Sequence, residues 1–123
     1  MLLLRGDRDR GVVPTATKLE RYAGWLDSGA LVVRFEDLVG SAGGGADAAR
    51  DATLRSIFEH LGAEVDDALV AGIGRRLFSS KSPTFHRGAI GQWRTHFDPE
   101  IEAAFAGTVG EDLMGRYGYS GPG

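Results

Sequence analysis

The sequence predicts an α/β fold that is mostly helical, built around one buried strand of the parallel type over residues 30–35. Three observations predict it. Several stretches carry apolar residues at helical spacing behind recognisable start signals. One stretch, Ala30-Leu31-Val32-Val33-Arg34-Phe35, is short, rich in β-branched residues and apolar except for Arg34. With 42% apolar and 25% charged residues over 123 positions, the composition is that of one globular domain. A strand of such unbroken apolarity asks for strand neighbours on both edges and layers on both faces, and one strand makes no sheet. Residues 1–123 are therefore expected to form a single partial domain, the C-terminal portion of a larger α/β unit whose other strands are absent or come from another polypeptide.

The elements follow in order. Thr17-Lys18-Leu19-Glu20 fits a capping box, in which hydroxyl and carboxylate each satisfy a free helical N–H. With Leu19, Tyr22, Ala23 and Leu26 behind it, a first helix is expected over 17–26, ended by Asp27-Ser28-Gly29. After the strand come Glu36-Asp37-Leu38-Val39 and the run Gly40-Ser41-Ala42-Gly43-Gly44-Gly45. Asp47 then caps a second helix with Leu54, Ile57, Phe58 and Leu61 on one stripe, and Gly62 stops it in the left-handed conformation. A third helix covers 66–77, weakened by Gly72 and Gly74. Asp98-Pro99-Glu100 combines a cap, a proline at the first helical position and a carboxylate at the positive end of the dipole. That helix has Ile101, Ala104 and Phe105 on its apolar face, and a last short helix follows over 111–117. Residues 1–16 and 120–123 are expected to be flexible.

Charge is unevenly distributed. From Gly72 to Phe97 there are five basic residues (Arg75, Arg76, Lys81, Arg87, Arg94), two histidines and no acid, whereas the rest carries nine bases against seventeen acids, net −8. The chain as a whole is net −3, which argues against a general nucleic-acid binder. Without cysteine, disulfide frameworks, thiolate metal sites and cysteine nucleophiles are excluded. The N-terminal apolar run, Met1-Leu2-Leu3-Leu4, is too short for a signal sequence or a membrane span, so a cytoplasmic location with no membrane partner is expected. No metal site is expected.

Within the acid-free window, Phe85-His86-Arg87-Gly88-Ala89-Ile90-Gly91-Gln92-Trp93-Arg94 is a glycine-punctuated basic loop. Arginine beside glycine, where backbone N–H groups approach closely and an aromatic ring can stack, suits a phosphorylated nucleotide. Together with Leu31-Val32-Val33-Arg34-Phe35-Glu36-Asp37-Leu38, a helix ending His60-Leu61-Gly62, and the closing Tyr117-Gly118-Tyr119, this loop resembles the C-terminal half of the cytosolic-type and bacterial sulfotransferases, over residues 17–119.

The resemblance implies a fold related to P-loop kinases. It also implies transfer of the sulfuryl group of 3′-phosphoadenosine 5′-phosphosulfate (PAPS) to a hydroxyl or amine, leaving 3′-phosphoadenosine 5′-phosphate (PAP). In the family the loop reads Phe-Arg-Lys-Gly and then Gly-Asp-Trp-Lys, and its Arg-Lys-Gly part grips the 3′-phosphate. Phe85 and Gly88 match, Arg87 takes the Lys position, and His86 stands where Arg is usual. A histidine is mostly uncharged at neutral pH, so the departure implies a weaker hold on phosphate. Gln92 replaces the usual Asp, Trp93 matches, and Arg94 exchanges one base for another. Phe35 falls where some relatives have a Tyr near the adenine, and Phe78 where a nucleotide-stacking Phe follows the third helix.

The family's phosphosulfate loop, a strand-to-helix turn with a catalytic Lys and Ser/Thr, and its catalytic His have no counterpart in these residues. No catalytic residue is assigned here. The implied enzyme is thus expected to be inactive as this chain alone, with a polypeptide supplying the N-terminal half as a possible partner. The alternative is a non-catalytic module that binds a 3′-phosphonucleotide or a protein. The glycine run at 40–45 lacks the Gly-Lys-Ser/Thr ending of a P-loop and reads as a surface loop. Trp93 and Phe97 read as core anchors, His60 and His96 as solvated residues, and Glu36 and Asp37 as turn-capping groups.

Overall fold

The computed structural model describes residues 1–78, 81 and 88–120. Its helices are α1 (Leu2–Arg5), α2 (Thr15–Ala23), α3 (Phe35–Leu38), α4 (Asp47–His60), α5 (Asp67–Leu77) and α6 (Pro99–Arg116), with 3₁₀ turns at Gly24–Asp27, Ser41–Gly43 and Gln92–Thr95. No strand occurs among the described residues, whose isolated bridge between Asp7 and Val12 belongs to no sheet. The fold is mostly helical and is not the α/β, P-loop-kinase-like fold expected from the sequence.

The correction centres on residues 30–35. Residues 30–34 run as irregular chain, with Arg34 extended (φ −91°, ψ 145°), and Phe35 already opens α3. Strand propensity reports how well a side chain fits a pleated, half-buried surface, and no such surface is present among the described residues. Leu31, Val32 and Val33 have no hydrogen-bond partner there, and Val32 is 50% exposed.

The chain divides into two compact units, Met1–Ala30 with Trp93–Gly123, and Leu31–Gln92. In the first, α1, α2 and α6 pack on one another and bury Leu4, Ala23, Val109 and Leu113. The Tyr117 hydroxyl donates to the Leu19 carbonyl, tying the end of α6 to α2. The capping box at Thr17 does not form, because the helix begins two residues earlier, behind Pro14, whose φ of −54° already suits helix entry. Thr15 spends its hydroxyl on the Leu3 carbonyl at 2.8 Å. At α6 the expected start is present: the Asp98 carboxylate accepts from the Ile101 amide at 2.8 Å, and Pro99 is the first helical residue. Gly110 (φ 71°, ψ 161°) breaks α6, so the two helical segments read from the sequence are both there.

Trp93 is not a core anchor. It is 37% exposed, with the Arg94 guanidinium 4.7 Å above its ring, at the outer end of an aromatic row. Its centroid lies 5.5 Å from that of Phe97 in an edge-on arrangement, and Phe97 lies 6.2 Å from Phe105.

In the second unit, α4 packs against both α3 and α5 around Val39, Leu54 and Val70. Gly62 (φ 68°) ends α4 as expected: the Gly62 amide donates to the Glu59 carbonyl and the Ala63 amide to Phe58, which is the Schellman pattern. This reversal leaves Leu61 70% exposed, so only Leu54, with half-buried Ile57 and Phe58, makes the inward stripe. The Asp66 carboxylate caps α5 through the Leu69 amide at 2.7 Å.

Candidate functional site

The site is assembled within the second unit from α3, the end of α5 and two glycine-bearing loops. Phe35, Leu38 and Val39 from α3 and its C-cap, and Leu77 and Phe78 from the end of α5, line an apolar cavity of about 100 Å³. For scale, a cavity of about 150 Å³ holds benzene, whereas a drug-sized ligand fills about 300 Å³ or more. The cavity is thus smaller than one that encloses a benzene ring, and its walls are apolar. Phe35 and Phe78, 43 positions apart and both assigned to the nucleotide from the sequence, meet in it.

The structure also fixes the two ends of the basic loop. Phe78 is its root on the α5 side. On the far side the Ile90 amide donates to the Gly43 carbonyl at 2.8 Å, and a Cβ on Gly43 would come within 2.7 Å of the Gly88 carbonyl oxygen and into the Val39 side chain. Glycine is required at position 43 by this close approach. Gly88 itself has φ 56°, in the left-handed region that favours glycine. Phe85, His86 and Arg87 lie outside the described residues.

The glycine run at 40–45 is an ordered turn in which the amides of Ser41, Gly43, Gly44 and Gly45 are already committed. Gly43 and Gly45 donate to the Gly40 carbonyl at 3.2 and 2.8 Å, Gly44 donates to Ser41, and the Ser41 amide donates to Asp47 Oδ1 at 2.9 Å. A carboxylate of the chain itself thus occupies the place where an anion would be cradled. The same oxygen accepts from the Ser41 hydroxyl at 3.0 Å and from Arg50 Nη1 at 2.8 Å. The hydrogen bonds from the Ser41 amide and hydroxyl, with the Arg50 guanidinium beside them, hold the Asp47 carboxyl below the ordinary aspartate value.

Other candidates take structural places. Asp37 is paired with Arg34, Nε to Oδ2 at 3.0 Å, which ties the start of α3 to the chain before it. His60 and His96 are exposed, and no group of His, Cys, Asp or Glu suited to a metal occurs among the described residues. None of the helices there is long and apolar enough to cross a membrane.

Sequence reasoning missed Leu38, Val39 and Leu77 as cavity walls, and Arg50 altogether. Gly74 was the available signal. A glycine inside a helix costs about 1 kcal/mol relative to alanine, so its presence can point to a close approach at that position. Here a Cβ on Gly74 would collide with the Arg50 guanidinium.

A scan against protein-family models found no match, and neither did searches of curated proteins and of solved structures.

Proposed function

We propose that this chain binds the 3′-phosphoadenosine part of PAPS or PAP as the nucleotide-recognising portion of a sulfotransferase. One observation carries the reading. The two aromatic residues that the resemblance assigns to the nucleotide, Phe35 and Phe78, line one small apolar pocket, and that pocket lies at the root of the only long acid-free basic segment in the sequence. A flat apolar wall suits the adenine, and the loop carries Arg87 and His86 for the phosphate, with Gly88 turning the chain beyond them.

The reaction served is displacement at sulfur: an acceptor oxygen or nitrogen forms the new bond, the bridging oxygen takes the electron pair, and PAP leaves. The 123 residues contain no Gly-Lys-Ser/Thr turn to stabilise charge on that bridge, so the reading gives this chain binding without turnover. Calorimetric titration with PAP tests it. Wild type should bind and Arg87→Ala should bind roughly ten- to a hundredfold more weakly, the size expected for a charge-assisted hydrogen bond of about 1.5–3 kcal/mol. His86→Arg should bind more tightly, because it restores a permanent charge and a planar fork. An Arg87→Ala isotherm identical to wild type would remove the assignment.

A further inference from the structure

Arg50 lies far from the basic loop in sequence and was not drawn into the site, yet its surroundings place it under strong constraint. Its side chain is only 12% exposed. Nη1 reaches Asp47 Oδ1 at 2.8 Å, while Nε and Nη2 both reach Asp51 Oδ1, at 2.9 and 2.8 Å. On its other side the guanidinium lies against Gly74 of α5, where a Cβ would stand 2.7 Å from Cζ. The planar fork is thus held by two carboxylates on one side and lies against a bare helix backbone on the other.

That orientation is transmitted outward by short contacts. Arg50 fixes the Asp47 carboxylate, Asp47 fixes Ser41 through both its amide and its hydroxyl, and Ser41 opens the 3₁₀ turn Ser41–Gly43. The carbonyl at the end of that turn, on Gly43, receives the Ile90 amide, and Gly43 abuts the Gly88 carbonyl. The path therefore runs from α5, through the guanidinium and the glycine turn, to Gly88 and Ile90.

We infer that Arg50 and Asp47 are positioning residues for the segment 88–90: they fix the glycine turn at 40–45, which in turn holds Gly88 and Ile90. The consequence for the ligand rests on the function proposed above, whereas the mechanical link does not. It gives the bare backbone at Gly74 a role, since a Cβ there would collide with the Arg50 guanidinium.

Hydrogen exchange at single amides tests the link without any ligand. In Asp47→Ala the Ile90 amide should exchange about two- to tenfold faster, the range for losing support equivalent to one hydrogen bond, while the Leu54 amide in the body of α4 keeps its wild-type rate. Gly74→Ala, which displaces the guanidinium from the other side, should act on Ile90 in the same direction. Should Asp47→Ala fail to fold, Asp47→Asn, which keeps an acceptor oxygen but loses the charge facing Arg50, gives the same readout with a smaller change. A merely structural role would accelerate Leu54 together with Ile90, and that result, or an unchanged Ile90 in both Asp47 and Gly74 variants, overturns the inference. Titration with PAP then separates the two readings. If wild type does not bind PAP, the proposed function fails while the exchange result stands; if wild type binds and the variants bind equally well despite a loosened Ile90, the positioning role fails.

Discussion

Two glycine-bearing segments meet at Gly43 and Ile90, and they differ in charge and in what flanks them. The turn at 40–45 turns inward: the amides of Ser41, Gly43, Gly44 and Gly45 all have acceptors within the turn or on Asp47. The segment that ends at Gly88 carries bases and no acid, and begins beside an apolar cavity with two phenylalanines. Glycine-rich composition alone would nominate both loops for phosphate. The difference teaches that glycine content alone does not make an anion site: at 40–45 a carboxylate of the chain itself, Asp47, already takes up the Ser41 amide and the Arg50 cation.

The largest change that should break this comparison removes the scaffold common to both loops. Leu54, 5% exposed, sits in α4 between α3 and α5. Leu54→Ala should lower stability by about 2–5 kcal/mol through lost burial and a residual cavity, with both loops losing their protection together. Denaturant unfolding monitored alongside amide exchange checks this. An unchanged midpoint would show that α4 is not what the loops stand on.

A smaller effect distinguishes the loops by pH. Asp47 has a lowered pKa in the folded chain, so its contribution is fully present above the unfolded aspartate value, about 3.9, and is lost as pH falls through the depressed folded value. Protection of the Ser41 amide should therefore hold from neutral pH down to about 4 and weaken below it. Asp47→Asn should abolish that step. If the Ser41 amide shows no acid-dependent loss of protection in wild type, the carboxylate is not what satisfies the turn.

How far the sequence could be read follows the range of the interactions. Asp98 with Pro99, and Gly62, act on amides and carbonyls within a few residues, and each does what its local pattern predicts. Asp47, expected to cap α4, is instead its first residue and turns its carboxylate back to Ser41. The apolar run at 30–35 depends on partners distant in the chain; its side chains fit a strand, but no ladder forms among the described residues and α3 begins at its last position. Thr17 failed for the opposite reason, as a neighbouring proline set the helix start before the capping box could. Leu61 kept helical spacing on paper, yet the left-handed turn at Gly62 carried it into solvent. At the site, Phe35 and Phe78 could be nominated singly from the sequence, but their sharing a cavity is a property of how α3 and α5 flank α4. Arg50 was invisible because its significance lies in a glycine on another helix.

The central claim is that the acid-free loop and its aromatic cavity take the nucleotide while the glycine turn at 40–45 does not. Nuclear magnetic resonance of the chain titrated with PAP tests this most directly, because both loops report in one experiment. The claim predicts saturable shifts of the Phe35 and Phe78 ring signals and of the Gly88 amide, with the Ser41 and Gly44 amides unmoved. Shifts concentrated at Ser41 and Gly44, with the two phenylalanine rings unaffected, would contradict it and move the phosphate to the turn closed by Asp47.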